Sequence, residues 1–419
     1  MKKILFILFF AFPLAMPLYG KLSKQELQKI LKEYNEAIRV GDPYLIGKAL
    51  EKLAKDDSKR IVKVLCSCAL KFQEEKIYEA CKNGIRQLKS KEALDYCYQK
   101  MKSGPWQIQI FLMESLGHRR DKKLLSILMK NLNSPYSPVV RTALEILGQI
   151  RDSKLVHPLI LFLKKLEKKK KTGEIHFQTR KVLVKLTGYD YLTGQEWEKW
   201  WLAVGSKGGI GATGRTVLQK PLKHKGPRFF TEQITSHRVV FIIDSSASME
   251  EKDPPRMEGR GTHVRRKPIP KAQLPASRMR IERAKNQLIQ VIKRLPSQAA
   301  FNIIAFNNKV RYWSPKLRKA SPSAKSSAIQ FVMSLRAEGK TFTYKALEKA
   351  FENKKADTFY LLSDGTPTLG PSPGQILEKV TRWNRFRKIK IFTLGFPGVN
   401  REFMQKLAYN NFGKYSDIR

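Results

Sequence analysis

The hydrophobic pattern of the chain changes near Arg238. After this residue, continuous apolar runs alternate with helical periodicity. The strand-like runs are VVFIID (239–244), FNIIAF (301–306), TFYLL (358–362) and IKIFTLG (389–395), with a short one near VRYW; the helical segments are 278–295, 343–353, 374–387 and 401–412. Strands that are apolar throughout are typical of a parallel sheet covered by helices on both faces. The sequence therefore predicts a doubly wound, Rossmann-like α/β domain over residues 237–419.

The preceding part of the chain has the rhythm of helices and contains a repeat. From Leu22 to Ala203, apolar residues recur at three- and four-residue spacing. The stretches MESLGHRRDKKL (113–124) and LEILGQIRDSKL (144–155) align at a period of 31 residues, and residues 49–61 echo them with more drift. Helix pairs at this period indicate an all-α, HEAT-like solenoid. We therefore predict a multidomain chain whose residues 21–203 form helical repeats.

A tryptophan-rich segment and a glycine-rich segment connect the two parts. Trp197, Trp200 and Trp201 lie at helical spacing in residues 186–203. They form either an aromatic binding platform or, as we favour, a capping helix whose rings pack on the last repeat. Residues 204–236 are rich in glycine and basic residues and lack periodicity. That composition predicts a linker or an extended wrapping segment.

The N-terminus has the pattern of a secretory signal. Lys2 and Lys3 precede an apolar run from Ile4 to Tyr19, which predicts a signal peptide over residues 1–20, cleaved after Gly20. An uncleaved N-terminal anchor is the alternative, and it would be the protein's only link to a membrane. Either way, we expect an extracytoplasmic protein in the periplasm, on the cell surface or secreted. Its four cysteines fit buried free thiols or one loose disulfide.

The charge is strongly basic. The chain has 81 Lys and Arg against 36 Asp and Glu, a net charge of +45. This predicts attraction to polyanions such as acidic cell-wall polymers or anionic lipid surfaces. The basic residues are spread throughout and follow no nucleic-acid-binding fold, so we expect no specific nucleic-acid partner. A highly charged, solvated surface without a binding role is the alternative interpretation.

Oxygen-bearing side chains follow two of the predicted strands and precede a predicted helix. Asp244, Ser246 and Ser248 follow the first strand, Thr341 precedes the helix at 343–353, and Asp364 follows the strand TFYLL. Ligands of such sheets bind beyond the carboxyl ends of the strands. Two carboxylates and three hydroxyls are the donors that a hard divalent cation prefers. The sequence therefore predicts a divalent-cation site at this edge.

These three motifs resemble a known family. Residues 237–419 are similar to the von Willebrand factor type A domain, and the three motifs to its metal-ion-dependent adhesion site. The resemblance implies that Ser246, Ser248 and Thr341 bind Mg²⁺, or Mn²⁺ or Ca²⁺ in its place, directly or through water. It implies that Asp244 and Asp364 act partly through water, and that the ion recognises an acidic residue of a protein partner. The whole chain also looks similar to exported bacterial proteins that join HEAT-like repeats to this domain.

Two features depart from the family pattern. Ala247 stands where the family usually has glycine, which removes some backbone freedom from the loop. A basic, proline-containing insert covers residues 250–277 and starts at the predicted metal loop. It could shield the site or contact the ligand.

The sequence favours binding over catalysis. The histidines are scattered, no Ser/His/Asp or Cys/His set is present, and Ser246 has no identifiable general base. We therefore expect a non-enzymatic adhesion or assembly protein that binds a partner's carboxylate through the cation. The alternatives are a basic surface protein that binds polyanions, with an incidental metal site, and a metal-free structural scaffold.

Overall fold

The structure is a computed structural model that describes residues 22–203, 226–253 and 276–418. These residues form two compact units, divided after Arg119. The predicted signal peptide (1–20) lies outside the described residues, as do residues 204–225 of the predicted linker and 254–275 of the insert. Within the described ranges, no helix combines the length and the apolarity needed to cross a membrane.

The first unit is built from helices. Their bounds are Lys24–Val40 (α1), Pro43–Leu53 (α2), Lys59–Lys71 (α3), Glu75–Arg86 (α4), Lys91–Ser103 (α5) and Trp106–Leu116 (α6). Helix α1 begins at a capping box formed by Ser23 and Glu26 and ends at Gly41 in the left-handed conformation. Helix α4 packs against α2, α3 and α6. All four cysteines lie in this unit as buried free thiols, the first of the two states expected from the sequence.

The second unit opens with further helices: Lys122–Asn131 (α7), Ser137–Leu147 (α8), Val156–Lys168 (α9), Glu174–Thr187 (α10) and Gly194–Ala203 (α11). The 31-residue repeat has a local explanation. Gly117 and Gly148 directly follow α6 and α8, and each aspartate of the repeat caps a backbone N–H. Asp121 accepts from Leu124 N at 2.9 Å, and Asp152 from Lys154 N at 2.9 Å. The all-helical prediction is confirmed; the assignment to the HEAT class stays a prediction.

The tryptophans of α11 pack inside this helical layer. Trp197 is fully buried and Trp200 nearly so. The ring of Trp197 meets Tyr191 edge-on at 5.1 Å, while Trp201 stacks on His157 at 5.4 Å. These contacts favour the packing interpretation over an exposed aromatic platform.

The C-terminal part contains a mixed sheet. After a hairpin of β1 (Arg228–Phe229) and β2 (Glu232–Gln233), its strands are Arg238–Asp244 (β3), Ala300–Phe306 (β4), Val310–Tyr312 (β5), Arg318–Lys319 (β6), Thr358–Ser363 (β7), Lys390–Gly395 (β8) and Tyr415–Asp417 (β9). The order is β5-β4-β3-β7-β8-β9, and β6 also pairs with β4. Strands β4, β3, β7, β8 and β9 are parallel.

The doubly wound fold is confirmed, and the sheet departs from the expected parallel arrangement at one edge. Strands β5 and β6 run antiparallel to β4. Three residues join β4 to β5, and a parallel crossover needs a dozen or more. A hairpin is therefore the geometry that the short connection permits.

Helices cover both faces of the sheet, as the doubly wound fold requires. Their bounds are Arg280–Arg294 (α12), Pro322–Met333 (α13), Thr343–Phe351 (α14), Pro373–Asn384 (α15) and Arg401–Tyr409 (α16). Along β3, Val239, Phe241 and Ile243 face the core shared with α12 and α13. Val240 and Ile242 face the core shared with α14, α15 and α16. The sequence analysis missed α13, whose serine-rich sequence carries a weak apolar stripe but begins with a Ser321 cap and a proline at its first position.

Helices α7–α11 and the sheet belong to the same compact unit. Buried polar contacts join them: Glu174 of α10 accepts from Thr235 Oγ1 at 2.6 Å and pairs with Lys390 of β8. Arg238 of β3 donates to Ser137 Oγ at 3.1 Å. The predicted domain boundaries at 203 and 237 stay a prediction. The two compact units of the structure are divided after Arg119.

Candidate metal centre

The five predicted ligands lie at the C-terminal edge of the parallel strands. Asp244 is the last residue of β3, and Ser246 and Ser248 lie in the turn that follows it. Thr341 lies in the loop before α14, and Asp364 directly follows β7. Strands β3 and β7 are neighbours in the sheet, so both carboxylates emerge side by side. Four of the five residues are buried; Ser248 is half-buried.

Hydrogen bonds connect the side chains of these loops. Ser246 Oγ and Ser248 Oγ are 3.2 Å apart, and Ser248 Oγ donates to Asp364 Oδ1 at 2.7 Å. A Cβ placed on Gly365 would lie 3.4 Å from Thr341 Oγ1 and 3.8 Å from Ser248 Oγ. The Thr341 hydroxyl therefore flanks the same small space as the two serines. The structure brings all five predicted residues together.

Backbone hydrogen bonds connect the loop that follows β3 to the loop that precedes α14. Ala247 N donates to Gly339 O at 3.0 Å, and Glu338 N donates to Ser245 O at 2.9 Å. Gly339 has a φ of +72°, a conformation that favours glycine. Ala247 is not among the described residues with positive φ, so the alanine fits here without backbone strain.

Asp244 is a fully buried carboxylate. Ser246 N donates to its Oδ1 at 2.9 Å, and Ser363 Oγ donates to its Oδ2 at 2.5 Å. Burial raises the pKa of Asp244 to about 6, against the opposing effect of these hydrogen bonds. Among the described residues, no Lys, Arg or His forms an ion pair with Asp244, and the nearby charge that affects its pKa is the carboxylate of Asp364. A buried carboxylate with hydroxyl partners and no cation is suited to a metal counter-charge.

Asp364 differs because it already has a cationic partner. Arg280 Nη1 donates to Asp364 Oδ2 at 2.8 Å, and both side chains are buried. Burial raises the pKa of Asp364, while hydrogen bonds from Ser248 and Arg280 lower it. Burial by itself would lower the pKa of Arg280, but its bonds to Asp253 and Asp364 outweigh that effect and raise it. Arg280 therefore supplies one positive charge at the rim of the site.

Arg280 also ties the site to the base of the insert. Its guanidinium pairs with Asp253 at 3.1 Å and with Glu251 at 3.1 Å. A bridge between Lys252 and Met279 and a bond from Asp253 N to the Arg278 carbonyl at 3.1 Å hold the two ends of the insert together. Whether the insert covers the site or contacts a ligand concerns residues outside those described.

The donor set fits a hard divalent cation. Two carboxylates and three hydroxyls supply oxygen atoms without nitrogen or sulfur, as Mg²⁺ prefers. In the described ranges, no group of three or more His, Cys, Asp and Glu side chains is arranged to hold a metal. A metal at this edge would therefore depend on the serine and threonine hydroxyls.

Sequence reasoning missed Ser363, Arg280 and Asp253. Ser363 is the last residue of β7, and its polar side chain in an apolar strand was the available signal. Arg280 stands at the start of an amphipathic helix, 84 residues before Asp364, and its spacing is that of an ordinary surface arginine. Its burial arises only from tertiary packing.

Known proteins match the C-terminal region. The sequence model described as von Willebrand factor type A domain matches residues 275–417. Inter alpha-trypsin inhibitor heavy chain 4 of Mus musculus is 26% identical over 191 residues, 42% of this chain and 17% of that protein. Human von Willebrand factor A domain-containing protein 3A is 32% identical over 119 residues, 28% of this chain and 10% of that protein. A solved von Willebrand factor type A structure from Catenulispora acidiphila is 21% identical with a TM-score of 0.35, covering 45% of this chain and 40% of its own.

These matches are partial. The chain spans less than a fifth of the length of either relative. The family match includes Thr341 and Asp364 and begins after the loop of Asp244, Ser246 and Ser248. Together with the sheet order, it shows that the C-terminal region of this chain contains a von Willebrand factor type A domain, which follows an all-helical region.

Proposed function

We propose that this is an extracytoplasmic, non-enzymatic protein whose α/β domain binds a protein partner through a divalent cation. The hydroxyls of Ser246, Ser248 and Thr341 would hold Mg²⁺, or Mn²⁺ or Ca²⁺ in its place, with Asp244 and Asp364 acting partly through water. The bound ion supplies an electrophilic position that a carboxylate of the partner completes. The role in adhesion or assembly follows from this mode of recognition.

The observation that carries the proposal is the convergence of these oxygen donors around a buried carboxylate. Asp244 is enclosed by hydroxyl and amide donors and forms no ion pair with the described residues. A divalent ion would neutralise it together with Asp364. Domains of this family generally mediate protein interactions, which supports a binding role.

Metal binding is tested first. Mn²⁺ titrated into the full chain should be taken up at one site, as measured by the loss of the free-ion paramagnetic resonance signal, and Mg²⁺ should displace it. Ser248→Ala should weaken uptake, because the hydroxyl between Ser246 and Asp364 is lost. Ser245→Ala is the matched control, since the Ser245 hydroxyl donates to the Phe306 carbonyl and not to the ligand set. Equal uptake by both variants would contradict the ligand assignment.

Partner recognition is tested separately. Immobilised protein is exposed to envelope extract in Mg²⁺ or in EDTA, and captured proteins are identified by mass spectrometry. We expect EDTA and Ser248→Ala to release the same proteins. Proteins captured equally in EDTA would show that the cation does not bridge to them.

The alternative function is charge-driven binding to a polyanionic polymer or membrane surface, and the net charge of +45 favours it. Such binding should fall steeply as salt rises, and it should not respond to EDTA. A salt series run beside the metal series therefore distinguishes the two functions. A metal-free scaffold would respond to neither.

A further inference from the structure

A second polar feature lies at the opposite edge of the same sheet. Arg141 of α8 is only 4% exposed, and its Nη2 donates to the Arg387 carbonyl at 2.6 Å. Its Nε and Nη1 have no hydrogen-bond partner in the part of the chain that the structure describes. Two unsatisfied donors on a buried guanidinium are costly and call for an explanation.

Arg141 lines a cleft of about 240 Å³ between α8, α10 and the segment leading into β8. The charged side chains around the cleft are strongly unbalanced. They are Arg141, Lys181, Lys185, Lys388 and Lys390 on the positive side and Glu145 on the negative side.

The carboxylates near the cleft do not remove this imbalance. Glu174 pairs with Lys390 and Thr235, and Asp357 pairs with Arg238. Burial lowers the pKa of Arg141. The charges of Asp357 and Glu174 act in the opposite direction but do not cancel the effect of burial.

A second guanidinium adds to the repulsion. Arg387 Nη2 donates to the Asn353 carbonyl at 2.9 Å, so its side chain is bonded to neutral acceptors. Burial and, to a smaller extent, the charge of Arg141 together lower the pKa of Arg387 to about 10. An anion in the cleft would relieve this repulsion and accept from one of the two unsatisfied donors of Arg141.

We propose that this cleft binds a tetrahedral oxyanion of the phosphate type, with Arg141 as the buried anchor and Lys181 and Lys185 at the entrance. An edge of the guanidinium, either Nε or Nη1 together with the second N–H of Nη2, matches two oxygens of such an anion. The surplus of positive charge favours a dianion over a single carboxylate. The volume admits a phosphate group with a small substituent and excludes a folded macromolecule.

This site is independent of the proposed metal centre. Arg238 and Lys390 begin β3 and β8, so the cleft lies at the N-terminal edge of the parallel strands. The metal ligands lie at the C-terminal edge. A negative result for phosphate binding therefore does not bear on the proposed metal centre, and a negative result for metal binding does not bear on the cleft.

The test is a calorimetric titration of the full chain with inorganic phosphate at constant ionic strength. We expect saturable binding at one site, with acetate binding weaker by about tenfold or more because it carries one charge and two oxygens. Equal affinity for acetate and phosphate would overturn the assignment to a tetrahedral dianion. Absence of saturable phosphate binding would overturn the site itself.

Variants locate the binding. Arg141→Met removes the anchor, and Lys181→Gln with Lys185→Gln removes exposed charges without disturbing the core. Each change should weaken phosphate binding about tenfold or more. Lys168→Gln with Lys169→Gln is the matched control, since it removes the same charge from exposed positions outside the cleft. If the control and the Lys181/Lys185 double variant weaken binding equally, general charge attraction is responsible and the proposal fails.

Discussion

Removing the Arg280 guanidinium tests how the protein balances charge at the candidate metal centre. Arg280 is buried between Asp253 and Asp364. In Arg280→Met, Asp253 keeps its ion pair with Arg283 at 3.0 Å. Asp364 loses the one cation that pairs with it among the described residues. The substitution therefore leaves a buried carboxylate that needs another counter-charge.

The expected loss of stability can be estimated from the distance between Arg280 Nη1 and Asp364 Oδ2. Unit charges separated by 2.8 Å attract by about 6 kcal/mol at an effective dielectric constant of about 20. Desolvation offsets part of this attraction, and breaking a buried pair typically costs about 3–5 kcal/mol. We expect the free energy of unfolding of Arg280→Met in EDTA to fall by that amount. For a domain of 150–250 residues this corresponds to a lower Tm by roughly 6–20 °C.

Mg²⁺ should then restore part of the loss. In the variant, Asp364 is no longer shared with Arg280, so the site should bind a divalent cation more tightly than in the wild type. A tenfold gain in affinity adds about 1.4 kcal/mol to the stabilisation at saturating ion. The difference in the free energy of unfolding between the wild type and Arg280→Met should therefore shrink by at least about 1.4 kcal/mol when EDTA is replaced by Mg²⁺.

The assay is urea unfolding followed by circular dichroism, in EDTA and in saturating Mg²⁺. Arg283→Met is the control, because Arg283 pairs with Asp253 and contacts the Phe396 ring. Its loss of stability should be the same with and without Mg²⁺. A gap for Arg280→Met that Mg²⁺ leaves unchanged would refute the reasoning that Arg280 and a cation share Asp364.

Three further predictions concern the rest of the fold. Glu174→Gln should cost about 3–5 kcal/mol in urea unfolding, because it leaves the ammonium of Lys390 without its buried partner; a loss below about 1 kcal/mol would mean that solvent already screens this pair. Gly84→Ala should cost roughly 1–3 kcal/mol, since the added Cβ would lie 2.9 Å from Leu65 Cδ1; unchanged stability would contradict the close packing of α3 and α4. Burial raises the pKa of the Cys66 thiol to about 12 and also raises that of Cys97, so these thiols should resist Ellman's reagent at neutral pH. All four cysteines should react once the chain is unfolded without reductant, and a blocked pair would reveal a disulfide.

Much of the fold could be predicted from the sequence because its signals are local. Val239–Ile243 is apolar on both sides of the chain, which indicates a strand buried on both faces. Asp121 and Asp152 each precede a helical turn and cap it. The short, weakly apolar segments that form α13 and β6 escaped prediction because their order comes from packing and pairing with distant elements.

We could predict from the sequence that an all-helical region precedes an α/β domain, and that one edge of the sheet brings together Asp244, Ser246, Ser248, Thr341 and Asp364. This prediction was possible because the parallel strands of one sheet bring their carboxyl ends to the same edge, whatever the details of packing. Which charges are buried, and which of them form ion pairs, depends on the packing of elements that are far apart in the sequence. Arg280 meets Asp364 across 84 residues, and Arg141 meets the Arg387 carbonyl across 246 residues. No local sequence pattern distinguishes such residues, because an arginine on an amphipathic helix has the same sequence context whether its side chain faces solvent or is buried under another element.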